Sequence, residues 1–422
     1  DEKERGKAIG TWSAVTTVVT MGGPILGGAL ADAGLWRYIF FINIPIGLVA
    51  LLILWRKVAE SKDAEAGSEK AGGAGTAGAG GGRSGGEGMG GPAKGSSGGG
   101  KAASVRRGSS LDIPGVLAIA LGLAALSFGF LRAPALGFGS PVIRGSLALG
   151  VLLLILFIFI EGRSRHPMMP LFLFANRSFS GVNALTFFLY AGLGAGMLFI
   201  SLNLVQAQGY SQFQSGLTFL PFTILMISIA RRAGSLADKH GARPFLIFGP
   251  ALAGLGLLLL SFIGETRGPA DYWTSFLPGV LVFGLGMAFT VAPLTTMVMT
   301  SVGDEYSGVA SGINNAMTRI SSVFANAIFG ALAVLLFTGV LQGRLEGMSL
   351  SPEVKQAVLA QAANLGNAKP PSALAPQDKP VVERMYREGF IVVYGDILRL
   401  AAGLAFLGAL MGLLFVKRAR GR

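Results

Sequence analysis

Cysteine is absent from the 422 residues, which excludes disulfides, thiol catalysis and cysteine-ligated zinc or iron–sulfur centres. Histidine is nearly absent: His166 and His240 are the two copies, and no H-E-x-x-H spacing is available for a metal. No G-x-x-x-x-G-K-[ST] occurs, nor a G-x-G-x-x-G following a strand, so nothing in the sequence points to ATP as a driving force. No His, Cys or paired-acid constellation falls within the apolar stretches, which argues against an enzyme. Charge is scarce too, at 14% Asp, Glu, Lys and Arg against roughly 25% in a soluble domain. Lys and Arg outnumber Asp and Glu by 35 to 22. They are scattered through short loops, however, and do not form a nucleic-acid footprint.

What abounds is apolar chain, with 51% hydrophobic residues and a mean hydropathy of +0.59. Runs such as "GSLALGVLLLILFIFI" (145–160) and "FLIFGPALAGLGLLLLSFIG" (245–264) reach, with their flanks, the ~20 residues that cross a ~30 Å hydrocarbon core. Ten spans are predicted, at 8–31, 37–55, 111–132, 143–162, 179–206, 214–231, 244–264, 273–299, 307–340 and 389–416. The expected class is an all-α polytopic membrane protein whose two ends lie on one side. With those ends in the cytoplasm, the internal segments carry 23 Lys and Arg and the opposite ones 10, six of these in the long 341–388 segment. Long segments count weakly in the positive-inside rule, so both ends are expected to be cytoplasmic.

Two stretches are of another kind. Residues 61–108 contain 18 glycines in 48 positions, a composition that cannot offset the entropy of ordering and predicts a flexible linker. "SPEVKQAVLAQAANLG" (351–366) predicts a short surface helix, capped by Ser351 with Glu353 in its first turn. The opening "DEKERGKAIG" has neither the apolar core nor the cleavage pattern of a signal peptide and reads as a start in mid-protein.

The stretch "TMGGPILGGALADAGLWRYIFFINIPIG" (20–47) concentrates glycine inside an apolar helix, which in water would cost roughly 1 kcal/mol per site. In a bilayer, small residues instead let helices approach closely. Gly22, Gly23, Gly27 and Gly28 form an almost bare face, and Gly23 with Gly27 makes a small-xxx-small pair. Pro24 removes one backbone bond and bends the helix.

"GGPILGG" followed by "LWRYIFFINIPIG" resembles the signature of the fifth helix, and the start of the sixth, in drug:proton antiporters of the major facilitator superfamily. "GSLADKHGARP" (234–244) is similar to the superfamily's cytoplasmic-loop motif, in the copy of the C-terminal half. "GVASGINNAMTRISSVFANAIFGAL" (308–332) resembles the penultimate helix of the fourteen-helix group. The resemblance implies major-facilitator-type bundles, with the ten spans as family helices five to fourteen and the chain truncated before the fifth. Residues 1–55 then supply the last two helices of the N-terminal bundle, 56–110 a Gly-rich cytoplasmic linker and 111–165 an extra two-helix hairpin. Residues 166–416 supply the C-terminal six-helix bundle with its 341–388 outer loop, and 417–422 a basic cytoplasmic tail. The implied function is proton-coupled efflux of amphipathic drugs or toxic small molecules by alternating access, without a cofactor. The implied setting is a bacterial cytoplasmic (inner) membrane, among lipids, with the need for an envelope adaptor protein left open. Export of an endogenous metabolite, lipid or siderophore fits the same fold, and a non-transporting scaffold is the remote alternative.

The signature residues carried over are Gly23, Pro24, Gly27 and Gly28 in the first span and Gly234, Asp238, Lys239, Gly241 and Arg243 in the loop motif. Asp238 can accept from backbone amides at the start of the next helix, and Lys239 and Arg243 can pair with acids or lipid phosphates. Gly234 and Gly241 allow a tight turn. For the proton and substrate pathway, costly intramembrane charge points to Asp396 and Arg399, spaced i,i+3 in the last span. Two readings fit them: a protonatable carboxylate tuned by its arginine, or a self-neutralised pair near the interface. Arg319 sits in a helix rich in Ser, Asn and Thr that suits a water-filled cavity or a helix seam. Asn43, Asn183, Asn203 and Gln206 complete the candidates.

Overall fold

The computed structural model describes Gly23 and residues 25–57, 112–164 and 167–416. Every regular element among them is helical, and eight helices are long and apolar enough to cross a membrane. The chain falls into two units, residues 40–110 and the remainder. The described part of the smaller unit is chiefly helix α1 (Asn43–Lys57), 15 residues long.

In the larger unit the chain runs through α2 (Ile113–Leu136), α3 (Pro141–Arg163), α4 (Arg177–Gln206), the short α5 (Gln212–Leu217) and α6 (Leu220–His240). It continues through α7 (Ala242–Leu260), α8 (Phe276–Thr300), α9 (Ser307–Glu346), α10 (Pro352–Leu359) and α11 (Lys379–Phe415). Successive spans run in opposite directions. The short links at 241 and 301–306 therefore share one end of the bundle, the short-loop end, and 207–211, 261–275 and 347–378 share the other, the long-loop end.

Local chemistry starts these helices where they start. The Asp112 carboxylate accepts from the Gly115 amide at 3.0 Å, with Pro114 in the first turn of α2. Asn176 accepts from the amides of Ser178 and Phe179, and its own amide donates to the Ser301 carbonyl at 2.6 Å, tying the start of α4 to the end of α8. Packing then follows from close backbone approach. Gly249 and Gly256 on α7 face Gly279 and Gly286 on α8, each pair seven residues apart and therefore on one stripe. A methyl group on Gly286 would lie 2.7 Å from both the Ala253 Cα and the Gly249 carbonyl oxygen. α7 also packs on α11, α4 packs on α9 and α11, and the α2–α3 hairpin leans on α9 through α2. Large apolar side chains such as Leu152, Phe159, Phe248 and Leu414 stay exposed, as lipid-facing residues do.

Several boundaries differ from the sequence expectation. The span expected to end at 231 continues as helix to His240, because "RRAGSLADKH" contains no proline and the stop is Gly241, at φ 87°. α9 has 40 residues and α11 has 37, far more than a bilayer needs. They project together at the long-loop end, joined by Arg344 and Glu388 at 2.9 Å. Ser351 does cap α10, accepting from the Val354 amide at 3.3 Å, but the helix ends at Leu359 and a 3-10 segment (Ala362–Asn367) follows, with Leu365 at φ 52°. Of the first expected span, 8–31, only Gly23 and residues 25–31 lie within the described part.

Replacing Gly286 by Val is expected to destabilise the protein by on the order of 3 kcal/mol, since backbone rather than a flexible side chain must yield. Gly330→Val, where no atom lies within 4 Å, should change stability by no more than about 0.5 kcal/mol. Thermal melts in detergent of the two variants side by side provide the check.

Candidate functional site

At the long-loop end, the helix that carries Gly27 and Gly28 closes on the start of α5. Gly28 is buried, and an added methyl would collide with the Gln212 carbonyl oxygen and sit 2.9 Å from the Phe213 Cα. One turn on, the Asp32 carboxylate accepts from the amides of Gln212 and Phe213, each at 2.9 Å. These are orphan amides of a helix start, where negative charge is favoured. Ser211 and Gln214 complete the turn by a reciprocal capping box. The Ser211 hydroxyl, then the Phe213 amide and more weakly the Gln212 amide, hold the Asp32 carboxyl below its ordinary 3.8, against an opposing effect of burial. A lowered value means that the contact is at full strength above the ordinary carboxylate range and is lost as pH falls through the lowered one. Asp32 therefore stays charged at neutral pH. A methyl group added at Gly27 would lie 4.0 Å from the Ile39 side chain, Gly23 faces open space, and Pro24 lies outside the described residues.

At the short-loop end, Gly241 forms the single-residue link between α6 and α7 with φ 87°, a conformation that favours glycine. Gly234 is helical, 3.3 Å from the Ala292 side chain for an added methyl, so it serves packing against α8 and not the turn. Arg243, in the first turn of α7, donates to the Leu413 carbonyl in the last turn of α11 at 3.0 Å. A cation on the C-terminal carbonyls of a helix is well placed. Lys239 is exposed, and the side chain of Asp238 lies outside the described part.

The other candidates do not gather at one point. The Asn183 amide donates to the Phe179 carbonyl, and Asn314 of α9 donates to both the Asn183 oxygen (3.3 Å) and the Thr186 hydroxyl (2.7 Å). That is a polar seam between α4 and α9. Arg319, further along α9, is exposed and acts electrostatically on Tyr190 of α4. Asp396 and Arg399 pair at 2.7 Å, both near half-exposed, with the guanidinium 5.5 Å from the Phe262 ring centre. Asn203 is fully buried with neither amide atom partnered, and the Gln206 oxygen is also buried without a partner. Asn43 opens α1 in the smaller unit and is exposed. Among the described residues, no group of three or more His, Cys, Asp or Glu could hold a metal ion.

Residues 1–326 match the Major Facilitator Superfamily. The chain belongs to that superfamily. It is 30% identical over 365 residues to the multidrug resistance protein Stp of Mycobacterium tuberculosis, a match covering 86% of this chain and 58% of that protein. It is 26% identical over 416 residues to the tetracenomycin C resistance and export protein of Streptomyces glaucescens, covering 98% and 68%. A third relative, the methylenomycin A resistance protein of Bacillus subtilis, is 27% identical over 338 residues, covering 80% and 63%. The chain thus spans 58% to 68% of the length of these relatives.

Sequence reasoning did not single out Asp32 or the Thr186 half of the polar seam. Asp32 lies just past the first expected span, where an acid reads as an ordinary loop charge, and its partners are 180 residues away. The usable signal was its position on the helix that carries the bare glycine face, four residues after Gly28.

Asn203→Leu is expected to raise thermal stability by about 1–3 kcal/mol, the cost of leaving a buried polar group unpaired. A fall in melting temperature instead would show that the amide has a bonding role.

Proposed function

We propose that the chain serves proton-coupled efflux of amphipathic small molecules across a bacterial cytoplasmic membrane, by alternating access. The observation that carries this reading is the Gly28–Asp32 contact with the start of α5. It joins the segment resembling the end of an N-terminal bundle to the C-terminal bundle, at the long-loop end. Such a contact, made of two hydrogen bonds to an exposed helix start and one bare glycine, can close in one state and part in the other without unfolding either helix. On the loop charges the long-loop end is external and both ends of the chain are cytoplasmic, so this contact would serve to close the outside. The relatives' names, multidrug resistance and antibiotic resistance, support drugs as cargo. Asp32 stays charged through the physiological range, so the proton must be carried elsewhere. Asp396 is the candidate carboxylate, with Arg399 as the group that sets its charge balance.

A second reading, export of one narrow cargo such as an endogenous metabolite, is favoured by the match over 98% of this chain to a protein named for resistance to and export of a single compound, tetracenomycin C.

Everted membrane vesicles from cells expressing the natural gene test both. After acidification by respiration, adding an amphipathic cation should release protons, read as recovery of acridine-dye fluorescence, and vesicles from cells without the gene should give none. Proton release by tetracenomycin C but by no drug of a broad panel would favour the second reading. No release by either would contradict both.

A further inference from the structure

A cavity of about 580 Å³ lies between the α2–α3 hairpin and α9, towards the short-loop end. Its walls are apolar: Val116 of α2, Phe157 of α3, Ile313 and Met317 of α9, and Met168 and Met169 of the link to α4. The volume is that of a small-molecule pocket, and three methionines give the walls an adaptable surface.

Two acids stand just beyond its apolar lining, next to Val116, Phe157 and Met169. Glu161 follows Phe157 by one turn and so shares its face of α3. It is 3% exposed, a rare setting for a carboxylate. Its Oε2 accepts from the backbone amide of Met169 at 3.2 Å, which fixes the carboxylate against the cavity wall, and its Oε1 is buried with no partner. Asp112 precedes Val116 by one turn on α2. Its Oδ1 caps Gly115, its Oδ2 is likewise buried without a partner, and its charge acts on Glu161. Among the described residues no ion pair reaches either acid. Of the described cations nearby, Arg163 is engaged 4.1 Å over the exposed Phe159 ring, and Arg319 of α9 is exposed and acts on Tyr190. A buried carboxylate oxygen without a partner is costly in a low dielectric, and either a proton or a cation relieves it.

We propose that this cavity is a binding site for amphipathic monocations, with the positive centre against Glu161 and Asp112 and the apolar body between the hairpin and α9. The site is separate from the seal at the long-loop end. It rests on the efflux reading only for the expectation that such molecules reach it from the leaflet at the short-loop end. A phospholipid tail would suit the walls, but the headgroup phosphate would meet two acids.

The test is equilibrium binding of radiolabelled tetraphenylphosphonium to the protein in lipid nanodiscs, with no proton gradient. Saturable binding is expected, weakened at least tenfold by Glu161→Gln and abolished by Ala316→Trp, which fills the cavity. The uncharged triphenylphosphine oxide should bind wild type and Glu161→Gln alike. Affinity unchanged in both variants would overturn the proposal. An azido-phenyl phosphonium photolabel on the unaltered protein keeps the test open if a variant fails to fold: adducts are expected within 154–169 and 309–320, and adducts confined to other helices would overturn it. A phospholipid retained in the native mass spectrum and not displaced by the phosphonium would also overturn it, naming lipid as the occupant. Because no gradient is present, absent drug-driven proton release leaves a positive binding result standing. Transport without binding at this cavity removes the site alone.

Discussion

Helices in hydrocarbon gain nothing by exchanging lipid for each other through hydrophobicity, so they are held by close backbone approach. The α7–α8 stripe shows the constraint directly: Gly249, Gly256, Gly279 and Gly286 bring two backbones to distances at which one methyl group has no room. Among its described residues, the glycine-dense stretch near the start of the chain uses the same device at Gly28. There the neighbour is not another long helix but the exposed start of α5, and two hydrogen bonds to Asp32 supplement the contact. Packing of the first kind is continuous along two helices and resists separation. The second is short and polar, and water can satisfy its parts when it opens.

The two ends of the larger unit therefore differ in kind. At the short-loop end, one residue joins α6 to α7, and Arg243 fastens α7 to the last carbonyls of α11, both within the same bundle. At the long-loop end, the Asp32 contact joins segments expected to belong to different bundles. A molecule that rocks must have its breakable contacts between bodies and its durable ones within them. The Asn314 seam with Asn183 and Thr186 lies within the bundle and belongs to the durable class.

Much of this was legible in the sequence because it depends on local pattern. Apolar length gave the eight described spans, Gly241 marked a turn, and Ser351 marked a helix start. What was not legible depends on distant partners. Asp32 looks like any acid in a loop until the chain brings Gln212 to it. Glu161, in "FIEGR", reads as a span-end charge until the 168–169 link folds over it. The continuation of α6 to His240 was hidden by its charge: "RRAGSLADKH" reads as a loop by composition, although none of its residues forbids helix. Asn203 appeared as one polar residue among several, and only its complete burial with both amide atoms unpaired sets it apart.

The central claim is that Asp32 and Gly28 hold the long-loop end shut. The cysteine-free sequence allows a direct measurement: spin labels on cysteines placed at the exposed positions Ala33 and Gln212, the latter using only its backbone amide in the contact, with the distance read by double electron–electron resonance in nanodiscs. The account predicts a single short distance in the resting protein, unchanged between about pH 8 and pH 5.5 because Asp32 titrates below that window. It also predicts a shift of the population to a longer distance in Asp32→Ala. The same short distance in both proteins would contradict it.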